Sequence, residues 1–315
     1  MKIVILKDSF PNSQTPDALD NQIEADFAQH YLSQKHIVSQ CAFVPDVSAV
    51  KQQLQDANPD LVFNLVETVC GNDALSVVAV QLLEMLGIPY TGCPMYAQVA
   101  TADKMLMKQV LQAQGIPTPS AHFVPRASFI LKARAEHASV GLDSACVRSF
   151  ASADALAQAV AEKANATGRP WMAEQYIEGR EFSCAFVGQT ILPPAEFCFD
   201  PHYEGHKIIT YQAKWNEDAP AYKQHWRRYD FEEDIKVSLA SLTAQCRKAL
   251  FMRGYARVDF RRDAAGNLYV IDINTNPCIS PDSTFIDMAG KAQIPLDQLF
   301  DKIIEDALLE YPFAS

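Results

Sequence analysis

Short apolar runs and longer helical patterns alternate from the first residues of the chain. The run "KIVIL" is followed by a helical pattern through "LDNQIEADFAQHYLSQKH", then by "CAFVP", a second helix around "AVKQQLQDA", and the apolar run "DLVFNLV". Strands separated by whole helices pair in parallel, so this rhythm predicts an N-terminal parallel sheet in an α/β fold. Pro89, Gly92 and Pro94 in "GIPYTGCPM" then punctuate the chain and set an expected boundary near residue 93.

One helix is expected across "YAQVATADKMLMKQVLQAQG", closed by Gly115 as a C-cap and by Pro117. Strands resume from "FILKARAEHASVGLDSACV", with a helix at "ADALAQAVAEKANATG" that Gly168 and Pro170 close. A hairpin-rich last region opens at "WMAEQYIEGREFSCAFVG", and a helix in "EDIKVSLASLTAQCRKALF" interrupts it. No internal repeat or low-complexity tract is present. The expected division is 1–93, 94–170 and 171–315.

Composition narrows the function classes. A chain of 315 residues with 49% hydrophobic and 21% charged residues reads as folded and globular, with room for two or three domains. The formal net charge of -11 argues against a nucleic-acid partner, though a local basic pocket for a small anion remains open. The N-terminal apolar run before Lys7 is too short for a signal peptide, and no stretch has membrane-spanning length. The eight cysteines form no C-x-x-C pair, so they are expected to be free thiols in a reducing cytoplasm.

The stretch "ARVDFRRDAAGNLYVIDINTNPCISPDS", residues 256–283, holds the most informative chemistry. A hairpin of residues 256–262 and 268–274 around "DAAGN" would set Asp259 opposite Asp272 and Arg257 opposite Asn274, all on one face. Facing carboxylates repel, so such a pair needs a cation. Two carboxylates and an amide oxygen suit Mg²⁺ or Mn²⁺ rather than zinc, and Arg257 beside them would stabilise a transferring phosphoryl group. A solvated hairpin with a surface Arg–Asp pair is the competing reading.

The sequence has neither a G-x-x-x-x-G-K-[ST] loop nor a G-x-G-x-x-G after the first strand. Candidate phosphate contacts are therefore isolated lysines in strand contexts: Lys104 in "TADKMLMK", Lys132 in "FILKARAEHASVG" and Lys214 in "YQAKW". Each can equally be a surface lysine.

Taken in order, five segments resemble the ATP-grasp superfamily and, within it, the D-alanine–D-alanine ligases: "PDLVFNLVETVCGNDA", "LEMLGIPYTGCPMYAQVATADKMLMKQVLQAQGIPTP", "LKARAEHASVG", "EQYIEGREFSCAFVGQTILPPAE" and "RVDFRRDAAGNLYVIDINTNP". The resemblance runs from about residue 59 onward. It implies an N-terminal α/β domain followed by two α+β ATP-grasp subdomains that clasp the nucleotide. It also implies an acyl-phosphate mechanism that releases ADP, ATP with two Mg²⁺ ions, and a cytoplasmic homodimer acting on small amino-acid or carboxylate substrates.

Residue by residue, Lys104 and Lys132 resemble the family's phosphate lysines, and Lys214 a third on a loop. Glu174 resembles the acceptor for the adenine amino group, with the main chain of Ile177 beside it, and Glu181 the ribose carboxylate. Arg257 would steady the acyl phosphate, while Asp259, Asp272 and Asn274 would hold the metal ions. Ser283 matches a serine that binds a substrate carboxylate. The turn at Ala138, Ser139, Val140 and Gly141 is the expected lid over the phosphates, with Ser139 among the cofactor contacts.

The departures gather where amino acids would bind. The family's "E-x-E-[VI]-S" stretch is replaced by "KDSFPNSQTPDALD", which offers Asp8 or Asp17. A histidine–glycine pair becomes Glu67 and Thr68, a tyrosine becomes Trp215, and the phosphate loop reads Glu136-His137-Ala138-Ser139. The bridging metal ligand is the shorter Asp272, and a glycine near the reaction centre becomes Cys278. Glu67 is the candidate ammonium contact, set against a plain strand-end glutamate. Cys278 has no base placed near it by sequence, and His202, His206 and His225 read as loop surface.

Three functions compete. The first is a carboxylate–amine ligase with a rebuilt amino-acid site, which would form ADP only with two added substrates. The second is a D-alanine–D-alanine ligase proper, which D-alanine alone would reveal. The third is a non-catalytic nucleotide-binding module, which Arg257 and the metal set speak against.

Overall fold

In a computed structural model the chain is described over residues 1–10, 16–136, 141–210 and 223–309. The opening rhythm folds as expected. Strand β1 (Lys2–Asp8) is followed by α1 (Pro16–Leu32), β2 (Ile37–Phe43), α2 (Val47–Ala57) and β3 (Leu61–Leu65). The three strands form a parallel sheet in the order β2-β1-β3. Helix α2 starts where the Asp46 carboxylate accepts the N–H groups of Ser48 and Ala49, and ends where Asn58 turns left-handed at φ 44°.

After α3 (Val77–Leu86) the single expected helix at residues 96–115 is two, α4 (Met95–Ala102) and α5 (Lys104–Ala113). Asp103 divides them. Its backbone is extended and its carboxylate accepts from Met105 and Leu106 N–H, the behaviour of an N-cap. Arg134 locks the cap with both carboxylate oxygens, Nε lying 2.8 and 2.9 Å away. Lys104 is consequently the first residue of a helix and not, as its sequence context suggested, part of a strand.

The central sheet contains β4 (Ser128–Ala133), β5 (Val147–Ser149) and β6 (Trp171–Gln175), in the antiparallel order β5-β4-β6, with α6 (Ala153–Thr167) packed on β6. This sheet runs past residue 170 to Gln175. The large antiparallel sheet holds β7 (Arg180–Val187), β8 (Thr190–Ile191), β9 (Ala195–Phe199), β10 (His225–Arg228), β11 (Tyr255–Arg262) and β12 (Leu268–Asn274). Its order is β10-β9-β7-β11-β12, with β8 beside β7. The combination is mixed α/β, with the parallel sheet confined to the N-terminal part.

Helix α7 (Glu233–Ala249) buries Ile235, Leu239 and Cys246 against Phe182, Phe186 and Val258 of the large sheet. The last helices, α8 (Thr284–Lys291) and α9 (Leu296–Leu308), turn back to the N-terminal sheet. Phe300 stacks on Tyr31 at 5.3 Å between ring centroids and meets Phe63 at 5.8 Å. Burying each such ring stabilises the fold by about 2–3 kcal/mol, so the first and last segments of the chain share one core.

Two glycines permit close approaches that position the site. At Gly179 (φ 147°) a Cβ would stand 2.0 Å from the Arg262 carbonyl oxygen. At Gly254 (φ 65°) it would stand 2.6 Å from the Gly92 carbonyl oxygen, where the N-terminal part meets the start of β11. Among the described residues no helix is long and apolar enough to cross a membrane.

Candidate active site

The 256–274 hairpin has the register its spacing predicted. Arg257 pairs with Asn274 and Asp259 with Asp272, while β11 is held on its other side by β7, with Asp259 opposite Ser183. A bulge follows: Phe260 opposes Val270, so Ile271 and Asp272 together face Asp259. Period-two reading alone does not reveal this extra residue, which brings Ile271 as well as Asp272 to the wall of the site.

That wall encloses a cavity of about 680 Å³ between the central and large sheets. Arg257, Asp259 and Asp272 line it, whereas Asn274 is half-buried and does not. Each aspartate has its own cation. Arg257 grips Asp259 through Nε to Oδ1 (2.8 Å) and Nη2 to Oδ2 (3.0 Å), and the Ser183 hydroxyl donates to Oδ1 (2.5 Å). Lys104 Nζ lies 3.1 Å from Asp272 Oδ2 and donates to the Glu136 carbonyl oxygen. Burial works against the Arg257 charge, but Asp259 outweighs it and the guanidinium pKa is raised.

The second charged group is buried deeper. Glu174, on β6, is 1% exposed and holds two lysines: Lys132 of β4 at 2.6 Å and Lys108 of α5 at 2.7 Å. Burial pushes the Glu174 carboxyl up, yet Lys108 and then Lys132 outweigh it and the carboxyl lies below its ordinary value. Burial, and then the Lys132 charge, draw the Lys108 ammonium down against the pull of Glu174. Lys108 was not singled out in the sequence; its spacing of four from Lys104 on one helix was the available signal.

Glu181 lines the same cavity, and burial raises its carboxyl even though Arg261 Nη1 stands 3.1 Å away. Arg261 also donates to the carbonyl oxygens of Lys207 and Gly179, tying the floor of the site together. Ile177 lies in the link between β6 and β7 and is a lining residue. Ser283 caps α8, accepting from Ile286 N–H, and also lines the cavity. Arg227 fixes this cap by donating to the Asp282 carbonyl oxygen (3.0 Å) and the Thr284 hydroxyl (3.1 Å).

Glu67 lies two residues beyond β3, half-buried and off the cavity lining, with its N–H donating to Asp8 Oδ1. Its charge acts on Glu24 and Cys278, so it faces the end of the site formed by α1 and the segment after β12. The predicted contacts Ser139 and Lys214, with Trp215, lie outside the described residues. Of the three histidines, His225 lines the cavity, while His202 is exposed and His206 packs edge-on to Tyr176 at 5.2 Å.

Among the described residues no three His, Cys, Asp or Glu side chains gather as a metal cluster. The expected set needs none, because its third donor is an amide. Asp259 and Asp272 oppose one another across one rung, and two residues on, the Asn274 Oδ1 accepts the Asn276 N–H (2.9 Å). Hard oxygen donors in this number fit Mg²⁺, which keeps part of its shell for water and phosphate.

Comparisons with known proteins agree with this geometry. A family model described as "D-ala D-ala ligase C-terminus" matches residues 82–305. The D-alanine–D-alanine ligase of Chelativorans sp. (strain BNC1) is 31% identical over 278 residues, spanning 83% of this chain and 85% of that protein. A Sinorhizobium fredii protein known only as uncharacterized protein y4sG is 29% identical over 263 residues, spanning 80% of this chain and 75% of its own. The crystal structure of a Bacillus anthracis D-alanine–D-alanine ligase complexed with ATP superposes with a TM-score of 0.74, at 20% identity, over 98% of this chain and 97% of that one. With the match spanning most of the chain and the charged hairpin lying inside it, the chain belongs to the D-alanine–D-alanine ligase family of ATP-grasp enzymes.

Proposed function

We propose that the chain joins a carboxylate to an amine at the expense of ATP, and that its amino-acid end has been rebuilt relative to ligases that couple two D-alanines. The carrying observation is that Arg257, Asp259, Asp272 and the lysines at 104 and 132 converge on one cavity. Three parts are proposed: residues 1–93, 94–170 and 171–315, the last two closing on the nucleotide.

In this reading Lys104 and Lys132, with Ser139 and Lys214, bind phosphate; Glu174 and the Ile177 main chain take the adenine; and Glu181 takes the ribose. Asp259, Asp272 and Asn274 would hold Mg²⁺, which supplies charge neutralisation to the β- and γ-phosphates. A substrate carboxylate oxygen attacks the γ-phosphorus, the bond to the bridging oxygen breaks, and ADP departs. Arg257 lies beside the resulting acyl phosphate and offsets its charge. The amine nitrogen then attacks the acyl carbon, the carbon–oxygen bond to phosphate breaks, and the amine proton leaves with the phosphate product. Ser283 holds the carboxylate of the second substrate, and Glu67 faces the ammonium of the first.

The case for a rebuilt acceptor end comes from α1 and the segment after β12. Buried Glu24 accepts the Ile279 N–H (2.7 Å), and Cys278 contacts Ser280 Oγ (2.9 Å) where the family has glycine. Asp8 is buried and spent on the N–H groups of Glu67 and Thr68. A cytoplasmic homodimer accompanies this reading. The test is a screen of amino-acid pairs for ATP-dependent phosphate release, with mass spectrometry of the product. A product from an unlike pair, with little from D-alanine alone, supports the proposal. Efficient D-alanyl-D-alanine synthesis from D-alanine alone overturns the rebuilt site and restores the ordinary ligase. Absence of ADP with every pair, despite tight nucleotide binding, overturns the ligase reading.

A further inference from the structure

We propose that Lys108 is a positioning residue for nucleotide binding: it keeps the Glu174 carboxylate ionised and in place when Lys132 moves from it to the phosphates. The inference rests on the ATP-binding reading above.

One buried carboxylate here carries two ammonium groups, and the two are not equivalent. The Lys132 side chain is 14% exposed and lines the cavity; that of Lys108 is 3% exposed and does not. Both lysines feel Glu174 first and Asp272 more weakly, and Lys132 is also acted on by Glu181. Lys108 Nζ lies 2.7 Å from Glu174 Oε2 and holds it by charge and by hydrogen bonding.

A triphosphate in the cavity attracts Lys132, the ammonium that borders the space. Had Lys132 been the only partner, its departure would strand a buried carboxylate, which is strongly opposed in a low-dielectric interior. Lys108 removes that penalty because it stays. The second lysine, superfluous by charge in the empty site, becomes the one cation left to Glu174 in the filled one, beside the neutral adenine amino group.

The test compares Mg²⁺–ATP binding by calorimetry in wild type, Lys108→Met, Lys108→Arg and the double variant Lys108→Met/Glu174→Gln. For Lys108→Met the Kd at pH 8 is expected to rise by about tenfold or more, since binding must bare or protonate Glu174. The deficit should shrink towards pH 6, with proton uptake visible as a buffer-dependent heat, because Glu174 takes a proton as Lys132 leaves. Lys108→Arg keeps the charge and should bind nearly as wild type. The double variant carries a neutral amide at the proposed adenine acceptor, so whatever affinity it keeps, its binding should take up no proton and should not strengthen towards pH 6. A Lys108→Met Kd within about twofold of wild type at both pH values overturns the proposal. So does a double variant that still takes up a proton on binding, since the proton would then not be on Glu174. If Lys108→Met does not fold, the arginine and double variants decide: proton uptake in either, or loss of binding by Lys108→Arg, overturns it. Wild type that binds no ATP overturns the nucleotide reading itself, a separate outcome.

Discussion

Arg257 and Asp259 lie two residues apart on one strand and form a two-point ion pair, Nε–Oδ1 at 2.8 Å and Nη2–Oδ2 at 3.0 Å. The planar fork of Arg257 is thus aimed along the face that carries both aspartates, and its position is fixed before any substrate arrives. A cation so placed acts on charge that develops during transfer more than on bound ATP. Arg257→Ala should therefore lower kcat by about 10²–10³ with little change in the KM for ATP. Steady-state kinetics checks this, and an equal rise in KM would move Arg257 to the nucleotide-binding set.

The legible and illegible parts of this site differ physically. The Arg257–Asn274 and Asp259–Asp272 rungs were readable because strand side chains alternate and "DAAGN" marks the turn. The bulge at Ile271 was not, because one inserted residue leaves no compositional mark. The break at Asp103 was hidden by an apolar pattern that continues through it, although the N-cap chemistry of aspartate is itself a readable signal. Lys108 stayed invisible for another reason. Its partner Glu174 lies far along the chain on β6, and the four-residue spacing from Lys104 in "KMLMKQV" places it on the same helix face without showing that it is buried.

Glu136 joins the N-terminal part to the central sheet. Its carboxylate accepts from Arg169 Nη1 at 2.6 Å, and Arg169 Nη2 donates to the Gly71 carbonyl oxygen. Burial, and then the Asp73 charge, push the Glu136 carboxyl from 4.5 to about 7. Between those values the folded protein holds a proton that the unfolded chain has lost, so stability falls as pH rises through this window. The shift corresponds to at most about 3.4 kcal/mol, reduced by solvent screening at this partly accessible group. Glu136→Gln cannot titrate, so its stability relative to wild type should improve between pH 5 and pH 8, as measured by urea unfolding. A constant difference across that range would mean the carboxyl is not held protonated.

Cys278 lines the cavity beside Ser280 at 2.9 Å and Asp20 at 3.6 Å. Burial, then the charges of Glu24, Glu67 and Asp20, raise its thiol well above the ordinary value. A thiol kept protonated is a poor nucleophile. Iodoacetamide at pH 8 should therefore modify exposed Cys70 well before Cys278, as read by peptide mass mapping. Cys278→Ala should keep turnover within about tenfold of wild type, because the sulfur shapes the pocket without reacting. Complete loss of turnover in that variant would assign the sulfur a chemical role.

Asp272 and Glu181 line one cavity but should fail differently when truncated. Asp272 faces Asp259 across the hairpin and meets Lys104 at 3.1 Å, at the end where phosphate and Mg²⁺ would lie. Asp272→Ala removes a proposed metal ligand and leaves buried Lys104 without that carboxylate. It should reduce kcat by at least about 10³, and raising the Mg²⁺ concentration should not restore the rate. Glu181 sits on β7 against Arg261, away from the reacting phosphorus in the proposed mechanism. Glu181→Ala should raise the KM for ATP by about tenfold, the scale of one lost charged hydrogen bond, while kcat changes little. The paired kinetics discriminate sharply, because both residues are acidic and both border the same space. If Asp272→Ala retained near-normal kcat, or Glu181→Ala abolished it, the nucleotide would have to lie in the opposite sense along the cavity, with its phosphates beside Arg261.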